Sequence, residues 1–145
     1  MKNTQDVRIG VMAANAGDGT EHLFLGRAIL AGFATAITDV RSLGYDAVID
    51  IEGKLLRVQV KGFDGNQISR KSRDRGGQGI DSRDPSNRGR LVTSDTADIF
   101  VAVNKKNGEV YIFAGKEIDK LPKKSFLKTK VEKNKENWAA ISSMK

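Results

Sequence analysis

The sequence contains no cysteine among its 145 residues and only one histidine, His22. Disulfide scaffolds, iron–sulfur clusters, cysteine nucleophiles and sites built from several histidines are therefore excluded. Long apolar runs are also missing: the longest, residues 28–37, is about half a membrane span and includes Gly32 and Thr35. Residues 1–12 lack the apolar centre of a secretion signal. We therefore expect a soluble, cytoplasmic protein with no membrane partner.

Aromatic residues are scarce as well, at 6% of the chain, which argues against an RNA-binding sheet with exposed stacking aromatics. Hydrophobic residues make up 39%, and this is enough for one core in a chain of this length. We find no internal repeat and no compositional break. The sequence therefore predicts a single domain over residues 1–145.

Charge of one sign is in excess, because 25 Lys and Arg residues oppose 18 Asp and Glu residues. Residues 66–90 hold 7 basic and 3 acidic residues, and residues 105–145 hold 11 and 5, whereas residues 1–65 hold 7 and 8. Two basic regions around a mildly acidic one indicate a polyanionic partner such as nucleic acid, although a solvated basic surface would show the same composition.

Hydrophobic periodicity predicts alternating helices and strands. Residues 17–20 are typical of a turn and helix start, and the apolar spacing after them predicts a helix that Gly32 can end. A short strand follows over residues 33–37. Residues 45–51 and 54–63 alternate around the tight turn Glu52-Gly53 and predict a hairpin.

The remaining chain divides into a polar segment, two strands and a tail. Residues 64–90 show no periodicity and form a predicted basic loop. Residues 99–103 and 109–113 predict an antiparallel pair, and Trp138, Ile141 and Met144 have the spacing of a short docking helix. The order of elements predicts an α/β protein with a mixed β-sheet flanked by helices.

The polar face of the predicted hairpin carries Asp46, Gln59 and Lys61. Strand alternation directs Gln59 and Lys61 to the same face, and pairing across the turn brings Asp46 close to them. Carboxylate and amide oxygens are ligands that suit Mg²⁺, and a lysine beside them can position water or offset charge on a phosphate. The same spacing also occurs on ordinary exposed polar strands, and both interpretations stay open on spacing alone.

Gly44-Tyr45-Asp46 followed by residues 56–61, Leu-Arg-Val-Gln-Val-Lys, resembles the PD-(D/E)XK nuclease superfamily. The Gln59-Val60-Lys61 triplet is similar to the branch with glutamine in the acid position, which includes small intron-associated homing endonucleases. Glu21 in the first helix and the Asp-led segment 97–103 match further elements of that fold. The resemblance covers about residues 17–114 and leaves residues 1–16 and the Lys-rich extension 115–145 uncovered.

This resemblance implies a restriction-endonuclease-like core and a Mg²⁺-dependent DNA endonuclease, with Mn²⁺ able to substitute. Asp46, Gln59, Lys61 and Glu21 would be its catalytic residues, and the metal would be held by Asp46, Gln59, Glu21 and the main-chain carbonyl of Val60. Basic residues in the loop that follows the catalytic strand would contact the phosphates of double-stranded DNA. These are Arg70, Lys71, Arg73, Arg75, Arg83, Arg88 and Arg90.

Cutting both strands of a duplex requires two active sites, so we expect a homodimer or a higher homo-oligomer. A phage or a mobile element is a possible source of such a gene. Two alternatives use the same fold: a structure-selective nuclease similar to Holliday-junction resolvases, and a DNA-binding module whose active site has lost its activity.

Overall fold

A computed structural model describes residues 5–39, 44–72 and 78–145. These ranges contain three α-helices: α1 (Ile9–Leu30), α2 (Glu117–Lys120) and α3 (Ala139–Ser142). They also contain short 3₁₀ helices at Pro85–Asn87 and Lys128–Asn134. The strands in the same ranges are β1 (Ala34–Ile37), β2 (Ala47–Ile51), β3 (Lys54–Phe63), β4 (Gln67–Ile68), β5 (Ile99–Asn104), β6 (Val110–Ala114) and β7 (Phe126–Leu127).

The main sheet has the strand order β1-β2-β3-β5-β6. Its strands pair antiparallel except for β3 and β5, which run parallel. A second, two-stranded sheet pairs β4 with β7. The predicted α/β class with a mixed sheet flanked by helices is confirmed, whereas the small second sheet was not predicted because each of its strands has only two residues.

The hairpin of β2 and β3 forms as the sequence predicts. Ala47 pairs with Val58 and Ile51 pairs with Lys54, so the two-residue loop is Glu52-Gly53. Both loop residues have positive φ, 52° and 87°, which is the conformation that a tight hairpin turn of this kind requires. Asp50 stabilises the turn by accepting a hydrogen bond of 2.7 Å from the Gly53 N–H.

The first helix differs from the prediction at its start. Residues 17–20 lie inside α1 rather than forming a turn before it. Glycine costs about 1 kcal/mol relative to alanine in a helix, but Phe24 and Ala28 bury completely against the sheet and hold the helix there. Its end is as predicted, because Gly32 takes a φ of 97° and the Phe33 N–H bonds the Ala28 carbonyl.

Hydrophobic cores lie on both faces of the main sheet. Phe24 and Ala28 of α1 and Ile141 of α3 cover one face, packed on the inward side chains of β2, β3, β5 and β6. The opposite core contains Phe100 and Phe126 and is closed by α2 and the β4–β7 sheet. The Lys-rich extension therefore contributes buried residues to both cores.

The predicted docking helix at the end of the chain is present as α3. Trp138 precedes it and stacks on Phe24 and Phe33, with ring centroids 6.4 and 6.0 Å apart. The Glu136 carboxylate joins this segment to the rest of the fold by accepting hydrogen bonds from Arg27, the Val110 N–H and the Trp138 indole. None of the helices in the described ranges combines the length and hydropathy of a membrane span.

Candidate active site

Asp46 lies at the point where β2 begins, and its backbone is held from both sides. Its N–H donates to the Val58 carbonyl at 2.8 Å, and its carbonyl accepts from the Thr38 N–H at 2.9 Å. The paired ladder ends at Ala47 and Val58, and the Asp46 side chain extends beyond it to Gln59 and Val60. Because β2 begins at Ala47 whereas β3 continues to Phe63, the second half of β3 lies beside the Asp46 side chain.

The Asp46 carboxylate is bonded to the predicted triplet. Its Oδ2 atom accepts hydrogen bonds from the Gln59 side-chain amide at 2.5 Å and from the Val60 N–H at 2.8 Å. The backbone bond replaces the ladder partner that β2 no longer offers at this position. The structure thus brings Asp46, Gln59 and Val60 together, as the resemblance implies.

Lys61 is the next residue on the same face of β3, two positions after Gln59, and its side chain is half-buried. Burial lowers the pKa of the Lys61 ammonium below its ordinary value, and the nearby Asp46 carboxylate opposes this change. Burial also raises the pKa of Asp46, against the hydrogen bond from Val60 and the charge of Lys61. Two opposite charges, each partly removed from water, therefore influence each other at this site.

The donor set at this edge fits a hard divalent cation. A strand residue's N–H and carbonyl leave the backbone on the same side, so the Val60 carbonyl points to the same edge as its N–H, towards Asp46. Carboxylate, amide and main-chain oxygens are ligands typical of Mg²⁺, which also keeps several waters. Among the described residues, no three His, Cys, Asp or Glu side chains form a metal cluster, so Gln59 and the backbone would have to supply the remaining protein oxygens.

Glu21, the fourth predicted site residue, lies on α1 beside Thr20. Thr20 is buried, and its hydroxyl lies 3.0 Å from the position that a Cβ atom at Gly62 would occupy, so this turn of α1 approaches the end of β3. The hydrogen bonds to the Asp46 carboxylate come from Gln59 and Val60 rather than from α1. A metal-assisting role of Glu21 stays a prediction.

The Asp-led strand identified in the sequence has a structural function. Asp98 precedes β5 and accepts three hydrogen bonds from Arg57, two from its guanidinium and one from its backbone N–H. These bonds lower the pKa of Asp98. Arg57 lies on β3, the strand that carries Gln59 and Lys61. The Arg57–Asp98 pair therefore fixes the parallel register of β3 and β5.

The predicted DNA-contacting residues divide into three groups. Arg70 is buried, with 4% of its surface exposed, and its guanidinium donates to the carbonyls of Val92, Leu121 and Pro122. The expectation that Arg70 contacts phosphate is therefore corrected: its charge is enclosed by the protein. Arg73 and Arg75 lie outside the described residues. The remaining four are exposed: Lys71, Arg83, Arg88 and Arg90.

A groove of about 680 Å³ begins at Val60 and Lys61. The first half of α1 lines one wall with small residues, and the other side carries Lys71 and Lys105. Lys105 was not singled out in the sequence, although it follows β5 directly. Because β5 is parallel to β3, their carboxyl ends meet at the same edge, and this topology could have indicated Lys105.

Comparison with known proteins supports the fold. No protein-family model matches the sequence, and no curated protein matches it. The structure is similar to that of a bacterial homing endonuclease, I-Ssp6803I, with a TM-score of 0.72 and 20% sequence identity. The similarity covers 90% of this chain and 93% of that chain. The two proteins therefore share a fold over nearly their whole lengths.

Proposed function

We propose that this protein is a Mg²⁺-dependent DNA endonuclease of the PD-(D/E)XK type, from the branch with glutamine in the acid position. One observation carries the proposal: Asp46 is bonded to Gln59 and Val60 beside a half-buried Lys61. This arrangement lies in a fold shared with a homing endonuclease, and a basic groove begins beside it. A homing-type endonuclease acting on double-stranded DNA is the function that agrees best with all three.

Asp46, the Gln59 amide oxygen and the Val60 carbonyl would hold the metal ion, with Glu21 assisting from α1. When bound, Mg²⁺ would polarise the phosphate and lower the pKa of a coordinated water. To hold a metal ion, the Asp46 carboxylate would give up its hydrogen bond from the Gln59 amide, and the amide would have to turn its oxygen towards the ion. The Val60 N–H would still orient the carboxylate.

Lys61 would act on the reacting phosphate. Its ammonium lies on the same face of β3 as Gln59, one strand repeat further along, at the start of the groove. A cation that is partly shielded from water stabilises developing negative charge more strongly than an exposed one. Lys61 would therefore orient the attacking water and stabilise the charge on phosphorus, while Asp46 and Gln59 remain ligands.

The test is a nicking assay on supercoiled plasmid. We expect Mg²⁺ to support cleavage, excess EDTA to stop it, and Mg²⁺ or Mn²⁺ but not Zn²⁺ to restore it, because the donor set consists of oxygens. Undiminished cleavage in EDTA would contradict the metal mechanism. Absence of cleavage with every metal, combined with DNA binding, would favour the inactive binding module.

The same preparation distinguishes the nuclease types and the assembly. We expect linear duplex to be cut at least as fast as a four-way junction, whereas a strong preference for the junction would favour a resolvase-like enzyme. Sedimentation analysis is expected to find a homodimer or a higher oligomer, because two sites are needed to cut two strands.

Gln59 provides a prediction that is specific to this branch. Gln59→Leu removes the amide oxygen, and we expect cleavage to fall by about 10- to 100-fold. Gln59→Glu places a carboxylate where other members of the superfamily have one, and we expect it to fold and to bind Mg²⁺ at least as tightly as the parent. Single-turnover cleavage across a Mg²⁺ titration measures both effects. If both variants cut as the parent does, Gln59 is not a ligand.

A further inference from the structure

A second groove, of about 900 Å³, adjoins the one beside Lys61. The two grooves share Ser69 and Lys71 as lining residues, so they form one continuous surface. We name this surface the basic channel. Its cationic members are Lys105 and Lys71 on the side of Lys61, followed by Arg90, Lys123 and Lys124.

The charges along the basic channel are arranged for a polyanion. Lys71, Arg90, Lys123 and Lys124 are exposed, and the second groove has no acidic lining residue among the part of the chain that the structure describes. In the first groove, Asp64 is paired with Lys105 at 2.9 Å. Cations spaced along a groove neutralise successive phosphates and release counterions. Two of these residues come from the loop before β5 and two from the extension, which are distant in sequence.

Three chain segments form the floor of the basic channel: the first is residues 67–72, the second is residues 89–92 and the third is residues 121–127. Hydrogen bonds join them. Ser72 and Arg90 bond each other through the backbone and the Ser72 hydroxyl, and Lys71 forms a bridge with Leu91. The pairing of β4 with β7 joins the first segment to the third, which carries Lys123 and Lys124. These hydrogen bonds join the two ends of the loop next to the channel.

Arg70 connects all three segments from beneath. Its own backbone belongs to the first, and its guanidinium donates to Val92 of the second at 2.8 Å and to Leu121 of the third at 2.9 Å. A buried cation is costly unless its donors are satisfied. The planar fork of arginine satisfies several carbonyls at once, and lysine cannot reproduce it. Arg70 thus sets the spacing between Lys71, on its own segment, and the cations of the other two.

We infer that the basic channel binds one phosphodiester backbone of the DNA duplex next to the cleavage site, and that Arg70 is the positioning residue that holds its cations in register. This inference rests on the proposed function for the identity of the polyanion. It assigns phosphate contact to Lys105, Lys123 and Lys124. Arg70, which the sequence placed among the phosphate-contacting residues, instead positions them.

The first experiment measures duplex binding in EDTA over a salt series, so that no cleavage competes. We expect the combined variant Arg90→Ala, Lys123→Ala, Lys124→Ala to flatten the slope of log K against log salt by about 3, or about 1 per lost phosphate contact. The matched control replaces Lys106, Lys130 and Lys133 by Ala, which removes the same charge outside the channel. Equal slopes for the two triple variants would overturn the inference.

The second experiment tests Arg70 with Arg70→Lys, which keeps the charge and loses the fork. We expect the affinity for duplex to fall by about tenfold while the salt slope stays that of the parent, because no phosphate contact is removed. A purely structural role would lower the melting temperature and leave the affinity of the folded protein unchanged, and that result would overturn the positioning role. If Arg70→Lys does not fold, Arg70→Gln, which can still donate to two carbonyls, takes its place.

Failure of this inference and failure of the proposed function give different results. If the parent cleaves plasmid with Mg²⁺ but both triple variants bind alike, the nuclease proposal survives and the basic channel does not bind the backbone. A different result is that no metal supports cleavage, but the slope of log K against log salt flattens for the Arg90, Lys123 and Lys124 triple variant and not for its control. The channel then binds DNA in a protein that does not cut it.

Discussion

Asp46→Asn is expected to lower the single-turnover rate of DNA cleavage by about 10²- to 10⁴-fold, with duplex affinity in EDTA unchanged. The amide keeps the shape of the side chain, and its oxygen can still accept from the Val60 N–H. What is lost is the negative charge that binds the metal. The two measurements on the same duplex separate chemistry from binding, and normal cleavage by this variant would refute the nuclease proposal.

The matched control for this variant is Asp50→Asn. Asp50 lies on β2, four residues after Asp46, and in the described part of the chain its carboxylate accepts one side-chain hydrogen bond, from the Gly53 N–H. Asparagine can accept that bond too. We therefore expect Asp50→Asn to cut at the rate of the parent, so that a loss specific to position 46 reports on the site and not on the hairpin.

Stability provides a further check on Asp46→Asn. Burial raises the pKa of Asp46 in the folded protein above its unfolded value, so the folded state binds the proton more readily. The free energy of unfolding therefore falls as pH rises from the unfolded pKa through the raised folded pKa, and the loss persists at neutral pH. Asparagine carries no charge, so the variant does not lose this part of its free energy of unfolding as pH rises. In EDTA at neutral pH the inactive variant is expected to melt at a higher temperature than the parent.

Lys61→Met is expected to reduce the single-turnover rate by a similar factor, about 10²- to 10⁴-fold. Methionine preserves much of the half-buried stem and removes only the cation beside Asp46. The metal ligands remain, so Mg²⁺ binding should persist while the reaction itself slows. Single-turnover cleavage at saturating DNA and Mg²⁺ measures the effect.

Lys105→Met is the control for Lys61→Met, because it removes one cation from the same groove. Lys105 is paired with Asp64, and its side chain lies against Gly62. Its loss is expected to weaken duplex binding and to leave the rate at saturating DNA unchanged. If Lys61→Met behaves in the same way as Lys105→Met, Lys61 is one more backbone contact and has no part in the chemistry.

The hairpin that carries the candidate site was predictable because its signals are local. Residues 45–63 alternate with period two, and Glu52-Gly53 is a turn that only a few residue types allow. The neighbouring positions of Asp46, Gln59 and Lys61 follow from strand pairing alone. In contrast, the sequence placed the start of α1 at residues 17–20, because local helix propensity there is low and the packing of Phe24 and Ala28 is not a local property.

Arg70 shows the limit of interpretation by composition. In the sequence it is one of seven basic residues in a polar loop, and nothing in its neighbours distinguishes it from Lys71 or Arg90. Its burial depends on Val92, Leu121 and Pro122, which lie 22 to 52 residues away along the chain. A contact at that separation leaves no periodic signal, so the sequence assigned Arg70 to the surface.

The fold class, the hairpin and the residue types at the site could be predicted from the sequence, since each depends on periodicity, turn chemistry or the identity of a few residues close together. Which cations face the groove beside Lys61, and which one is enclosed by the protein, depends on long-range contacts. The reason is that the basic channel is assembled from segments around residues 70, 90, 105 and 124. Their meeting depends on the parallel pairing of β3 with β5 and on the small β4–β7 sheet. Both are long-range contacts whose stability comes from burial, not from the local chain.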